Sequence, residues 1–406
     1  MPQDPREKGE MSFLHTSLHH PRKLWLRKAL FQVHLWVGVL LSLYLVVIAL
    51  TGAVLVFEDE LTSTTLPSGL HSYDAGRLAP IPLVVDNFRS SYPGSKIDYL
   101  VLPTETIPAF RIQAVDAEHR EFNLVADPVT GELHTQSRNW LNIVHDLHIY
   151  LLLGEAHGAQ VNAVGASALL SLAISGLVLW WPGVKVWTRG LRVSFHHSWR
   201  RINYDAHSAI GFWTLAIVAW WAFSGMYFGW YRQVGAAVNL VSPLKNMVPP
   251  EAPKLAQLPA GAPKVALPEI LETARKASPG AHLNSLTNAT LSDPTVMVMM
   301  DRERPDDFSH RDLVTIDAAS GRFLTNWHYG NNQSLGDWIL WAMHPLHFGT
   351  LWGLPIKILW FLLGVALAVL SVTGVLMYWN RYLCKRWHAL TRPDQQREKS
   401  VEVRAS

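Results

Sequence analysis

Four stretches of the chain carry no charged residue for at least the roughly 20 positions that a helix needs to cross a bilayer core: Ala29 to Phe57, Val161 to Trp181, Ser208 to Tyr231 and Ile358 to Trp379. The last extends back past Lys357 to Leu351 if that lysine lets its ammonium snorkel to the interface. The pattern predicts transmembrane helices over 30–57, 161–181, 208–231 and 355–379. The first run is too long for a signal-peptide core, and EDELTSTTL after it offers no small-residue cleavage site, so it is expected to stay as an anchor.

The segments 58–139 and 232–337 follow another period. PLVVDNFRSSYPGSKIDYLVL and LPEILETARKASPGAHLNSLT each read as an amphipathic helix stopped by Pro-Gly (Pro93-Gly94, Pro279-Gly280) and followed by a strand. AFRIQAV and EFNLVAD in one segment, TVMVMMD and DLVTID in the other, read as further strands. Each set ends in an Asp-x-x-x-Gly turn, at Asp127–Gly131 and Asp317–Gly321. A small α+β unit is expected twice, the second entered through an extended Pro- and Ala-rich linker from Ser242 to Pro268.

The chain thus reads as a duplication: a helix, an external α+β segment, a short His-x-x-His segment (140–160, 338–354), then a second helix. The expected fold is a membrane α-helical protein, four transmembrane helices in a parallel two-fold repeat (2+2) with two external α+β domains. Basic residues orient it. Arg22, Lys23, Arg27 and Lys28 precede the first run, Lys185, Arg189, Arg192, Arg200 and Arg201 fill the loop 182–207, and Arg381, Lys385 and Arg386 follow the last. By the positive-inside rule the tails 1–29 and 380–406 and that loop are cytoplasmic, and the two α+β segments lie outside. The net charge of +3 is then a topology signal and calls for no nucleic acid.

The candidate chemistry is histidine. His34 and His207 sit near the starts of the first and third runs, each with a glycine four residues on (Gly38, Gly211) and a Thr-Gly or Ser-Gly pair ending 18 residues on (Gly52, Gly225). At about 100° per residue, 18 residues make about five whole turns, so each histidine shares a helix face with its two glycines. Two further pairs, His145 with His148 and His344 with His347, precede the second and fourth runs at i, i+3 spacing, which places both rings of a pair on one face. Gly165, Gly176, Gly364 and Gly374 leave room in those runs. The glycines serve close helix packing as well as they serve a cofactor.

Ionisable groups inside spans are rare and usually functional, and neutral imidazole is a common metal ligand. The arrangement points to two non-covalent b-type haems stacked across the membrane. His34 and His207 are expected to ligate one. His148 and His347, which share a Leu-His context, are placed ahead of His145 and His344 for the other. Zinc is the rival at the outer four histidines, but it leaves His34 and His207 unexplained. The single cysteine, Cys384, excludes an intrachain disulfide, Cys-ligated clusters and covalent C-x-x-C-H haem. His15, His19, His20, His196 and His197 read as solvated, while His157 and His328 lie near the outer surface. No catalytic triad, carboxylate pair or Gly-rich dinucleotide fingerprint is present.

At these residues the chain resembles the PepSY-associated transmembrane proteins, also called iron-regulated membrane proteins. The resemblance covers nearly the whole chain. It rests on HLWVGVLLSLYLVVIALTG, on LHIYLLLGEAHG with ISGLVLWWPG, and on PLHFGTLWG with LLGVALAVLSVTGVLMYW, while the external segments with their DPVTGEL turn resemble PepSY domains. The resemblance implies a bacterial inner-membrane protein with periplasmic domains, of which some relatives are di-haem reductases of ferric siderophores. It carries haem ligation onto His34, His207, His148 and His347, with His145 and His344 as alternates. Some relatives fuse a flavin reductase domain that this chain lacks, so a quinol or a separate cytoplasmic reductase is the expected donor to a ferric siderophore or other ferric chelate. The alternatives are a non-enzymatic PepSY-type binding or regulatory protein and, behind it, a siderophore or metal permease, for which the uncharged helix cores offer little path. Oligomeric state is left open.

Overall fold

A computed structural model describes residues 24–136, 138–256, 264–384 and 386–387. Arg22, Lys23, Lys385, the three N-terminal histidines, most of both tails and the middle of the Ser242–Pro268 linker lie outside the described residues. In chain order, helices α1 (Trp25–Leu40) and α2 (Ser42–Leu55) lead through short α3 (Glu58–Thr64) to α4 (Ile81–Ser91). Strands β1 (Lys96–Val101), β2 (Phe110–Val115), β3 (Glu121–Ala126) and β4 (Leu133–Thr135) follow, then α5 (Trp140–Tyr150), α6 (Glu155–Trp180), α7 (Trp199–Gly229) and α8 (Tyr231–Val241). After α9 (Leu267–Ala277) come β5 (His282–Thr287), β6 (Thr295–Asp301), β7 (Arg311–Asp317) and β8 (Phe323–Tyr329), then α10 (Leu335–Phe348) and α11 (Leu354–Tyr378), with one π-helical turn over Trp379–Leu383. The described residues form two compact units, one of 24–56, 144–232 and 346–387, the other of 57–143 and 233–345.

The first unit is a helix bundle. Three helices, α6, α7 and α11 with its π turn, are long and apolar enough to cross a membrane, and α1 with α2 makes a fourth if the pair counts as one span. That pair departs from the single helix expected over 30–57. The two helices meet at 65°. Leu41 leaves the helical region (φ −95°, ψ 1°), and Ser42 Oγ donates to the Val39 carbonyl at 2.8 Å, a side-chain substitute for part of the interrupted ladder. Helix α7 instead starts earlier than the apolar run. Its polar first turns are satisfied in place: Asn203 Nδ2 donates to the Thr373 carbonyl at 3.0 Å, and Arg201 pairs with Asp205 at 2.9 Å. The C-terminus of α6 stops before Pro182, and Arg27 supplies a cationic cap by donating to the Val178 and Trp181 carbonyls at 2.9 and 2.7 Å. Leu45 and Ala49 of α2, Leu169 and Leu172 of α6, Val218 and Ala222 of α7, and Leu367 and Ala368 of α11 form the bundle core. Small residues bring helices close. A Cβ on Gly364 of α11 would stand 3.0 Å from that of Ala53 on α2.

The second unit is one antiparallel sheet of eight strands in the order β4-β3-β2-β1-β5-β6-β7-β8. The two strand sets that the sequence separates are joined edge to edge by β1 and β5, with Leu100 opposite Leu286. Alternation along the strands buries Ile97, Leu100, Ile112, Leu124, Leu286, Val298 and Ile316 on a face covered by Val84, Val85 and Phe88 of α4 and Ile270, Leu271 and Ala274 of α9. Both helices stop just before the Pro-Gly pairs, and Gly94 and Gly280 take positive φ (84° and 77°). Both Asp-x-x-x-Gly turns form as expected. Asp127 Oδ1 accepts from the Val129 and Thr130 amides, Asp317 Oδ1 from the Ala319 and Ser320 amides, and Gly131 and Gly321 sit at φ 69° and 70°.

Candidate functional site

Two pairs of imidazoles face each other within the helix bundle. His34 on α1 and His207 on α7 have ring centroids 6.4 Å apart with planes at 88°. Each ring is held from behind by another helix. His34 Nδ1 lies 2.9 Å from Ser175 Oγ on α6, and His207 Nδ1 lies 3.0 Å from Thr373 Oγ1 and 3.1 Å from the Leu370 carbonyl on α11. The residue after each hydroxyl is a glycine against the same ring: Cβ atoms on Gly176 and Gly374 would stand 3.3 and 3.4 Å from Cε1 of His34 and His207. The pair lines a cavity of about 910 Å³ that also includes Gly38, Gly211, Gly176 and Gly374. Arg27, Lys28, Arg200 and Arg381, from the ends of the same helices, line it too.

The second pair is His148 of α5 and His347 of α10, with centroids 6.3 Å apart and planes at 60°. His148 Nδ1 lies 3.1 Å from Thr51 Oγ1 and 3.1 Å from the Ile48 carbonyl on α2, and His347 Nδ1 lies 2.7 Å from Ser224 Oγ on α7. Gly52 presses closest of all, since a Cβ there would stand 2.7 Å from His148 Cε1. Gly225 faces Ala166 instead, and the edge of His347 meets Phe228 with centroids 5.2 Å apart. The end of α5 is tied down by Asn162 of α6, whose Nδ2 donates to the His148 carbonyl at 2.7 Å while its Oδ1 accepts from Tyr44 at 2.6 Å.

The other member of each i, i+3 pair has different neighbours. His145 lies beside Asp146 (3.6 Å) and Tyr150, and His344 stacks on Phe308 with centroids 3.9 Å apart. Burial, and after it the charge of Arg311, pushes His344 down to about 4. His328 is bound to Asp312 at 2.7 Å. Among the described residues, the one group of three or more His, Cys, Asp or Glu donors close enough to share an ion is Glu303, Asp307 and His310, an ion-pair cluster on the β6–β7 loop. The four outer histidines therefore do not assemble a closed tetrahedral set.

Each pair could hold one metal between its two imidazoles. With metal–nitrogen bonds of about 2 Å and about 1.2 Å from ring nitrogen to centroid, the centroids stand about 6.4 Å apart. Both pairs have that separation. The hydroxyls are what histidine spacing by itself misses. Thr51-Gly52 and Ser224-Gly225 end the runs that start at His34 and His207, but serve the other pair of histidines. Ser175-Gly176 and Thr373-Gly374 repeat the dipeptide in the remaining two runs, and that recurrence is the signal for all four.

The family described as the PepSY-associated TM region matches residues 31–381, a stretch holding all four facing histidines and all four dipeptides. No curated protein matches the chain significantly.

Proposed function

The chain belongs to the PepSY-associated transmembrane family, and we propose that it is a b-type di-haem oxidoreductase of the bacterial inner membrane. Its acceptor is a periplasmic ferric chelate such as a ferric siderophore, and its donor is a quinol or a separate cytoplasmic reductase. Bound haem supplies one-electron transfer, tuned by its axial ligands and by burial. His34 and His207 hold one group, and His148 and His347 the other. The observation that carries this reading is the repeated facing of two imidazoles at 6.4 and 6.3 Å.

The remaining residues support those roles. From His207 to Ser224 the continuous helix α7 rises about 1.5 Å per residue, about 25 Å in all, so the two pairs stand at opposite membrane faces. Leu45, Leu172, Val218 and Leu367 pack together in the bundle core and also line the cavity at the first pair. Arg200 and Arg381, which line the first cavity, offer cationic partners to an anionic ligand edge. In this reading the four helices form a parallel 2+2 repeat with its axis between the facing histidines. The two halves of the eight-stranded sheet are PepSY-like units on the periplasmic side, and both termini are cytoplasmic. Outer-sphere reduction needs proximity and a suitable potential, and no acid–base or nucleophilic group.

The test is the visible spectrum of detergent-purified protein, oxidised and dithionite-reduced, with haem counted per chain. Two low-spin b-type haems per chain are expected, reoxidised by a ferric chelate. Protein expressed with ample haem that binds none defeats the reductase reading and leaves the sheet unit as a binding or regulatory module.

A further inference from the structure

We infer that Thr51, Ser175, Ser224 and Thr373 are positioning residues that hold the four facing imidazoles in one tautomer, with hydrogen on Nδ1 and the Nε2 lone pair free for a metal. The inference rests on the ligand reading above but has its own observable. A Ser or Thr hydroxyl carries one hydrogen. In all four cases a helix carbonyl four residues back takes it: Thr51 Oγ1 lies 2.7 Å from the Val47 oxygen, Ser175 Oγ 2.7 Å from that of Ser171, Ser224 Oγ 2.8 Å from that of Trp220, and Thr373 Oγ1 2.8 Å from that of Val369. A carbonyl can only accept. Each hydroxyl therefore offers the neighbouring imidazole a lone pair, and the bond of 2.7–3.1 Å forms only if Nδ1 carries a hydrogen. At His148 and His207 the Ile48 and Leu370 carbonyls, each 3.1 Å from Nδ1, impose the same choice independently.

The arrangement is reciprocal. Each hydroxyl acts on a histidine of another element: α2 on α5, α6 on α1, α7 on α10, α11 on α7. At three of the four the next residue is a glycine whose bare backbone lets the ring approach. One dipeptide thus supplies both the acceptor and the clearance. All four acceptors are neutral, so the imidazoles stay neutral ligands, whereas a carboxylate partner would draw the Nδ1 proton towards itself and raise ligand basicity.

The experiment compares the full-length protein with Ser175→Ala, Ser224→Ala, Thr51→Val and Thr373→Val, with Thr51→Ser and Thr373→Ser as conservative rescues. Haem affinity and midpoint potential are read on the loaded protein. Histidine ¹⁵N shifts, which separate the two tautomers, are read on haem-free protein. Wild type should show Nδ1-protonated rings, and each hydroxyl-less variant should lose about ten- to a hundredfold in affinity at its own pair and shift only that pair's potential. The serine rescues should restore both readouts. Nε2-protonated rings in the wild type, or four variants with unchanged affinity, potential and nitrogen shifts, overturn the inference while leaving two bound haems intact. Wild type without haem defeats the ligand reading instead, and the nitrogen shifts then decide the tautomer alone.

Discussion

The two histidine pairs share a spacing and a hydroxyl partner but differ in what surrounds them. His34 and His207 open on a cavity of about 910 Å³ whose lining includes four glycines and four basic residues. His148 and His347 have close neighbours of another kind: Gly52 against one ring, Phe228 against the other, and the Asn162–Tyr44 link holding the end of α5. The tightest glycine approach is at the second pair, where a Cβ on Gly52 would stand 2.7 Å from His148, against 3.3 and 3.4 Å for Gly176 and Gly374 at the first.

The sharpest way to break the comparison is to remove the ligands. Under the di-haem proposal, alanine at His34 or His207 should reduce haem from two per chain to one by loss of the first group, and alanine at His148 or His347 should remove the second, each identified by the surviving reduced band. His145→Ala and His344→Ala should retain both haems, because their rings stand against Asp146 and Phe308. If either removes a haem while its i+3 neighbour does not, the assignment of the second pair is reversed.

A methyl group distinguishes the pairs more finely. Gly52→Ala places a Cβ 2.7 Å from His148 Cε1, closer than non-bonded carbons come, so the ring or the helix must shift, at a cost of about 1–3 kcal/mol. Haem titration should show weakened binding at the second pair only. Gly38→Ala meets just a Leu172 methyl at 3.8 Å and should change affinity by less than about 0.5 kcal/mol. Asn162→Ala should act in the same direction as Gly52→Ala but less strongly. It uncaps the His148 carbonyl and leaves the Tyr44 hydroxyl without its 2.6 Å partner, a loss of about 1–2 kcal/mol visible as a lower melting temperature and faster haem release from the second pair.

The smallest expected effect on the haems comes from the sheet unit. Asp337 is fully buried and accepts from five backbone amides, those of Lys245, Asn246, Met247, Gln333 and Ser334. Burial pushes its carboxyl up, but the amides outweigh burial and hold it at about 2. A depressed pKa means that the charged form stabilises the fold above the unfolded value of about 4 and that this stability is lost as pH falls from about 4 towards 2. Circular dichroism of the intact protein should show the sheet signal melting earlier across that window. Asp337→Asn should flatten the dependence and cost about 1–3 kcal/mol at neutral pH, with haem content at pH 7 unchanged.

Much of this was legible from residue order. Charge-free runs mark the bundle helices, because no water in a bilayer core can satisfy a broken ladder. Alternation and Pro-Gly pairs mark α4, α9 and most of the strands, and Asp127 and Asp317 announce their turns. Two features escape such reading. The bend at Leu41 has no proline and no charge to signal it. The joining of β1 to β5 couples residues such as Leu100 and Leu286, whose separation no local period spans.

The candidate site divides in the same way. The sequence by itself determined the candidate side chains, since six histidines recur at matched places at or near the starts of apolar runs and four Ser/Thr-Gly dipeptides recur within those runs. Only the tertiary structure decided which of them meet. It brings His148 and His347 together and sets His145 beside Asp146 and His344 on Phe308, although i, i+3 spacing puts each sequence pair on one helix face. It also carries Gly52 and Ser224 away from the histidines that begin their own helices and sets them beside those of other elements. Helical period fixes direction within one helix. The bend between α1 and α2 and the packing of helices around Leu45, Leu172, Val218 and Leu367 determine which faces are turned towards each other.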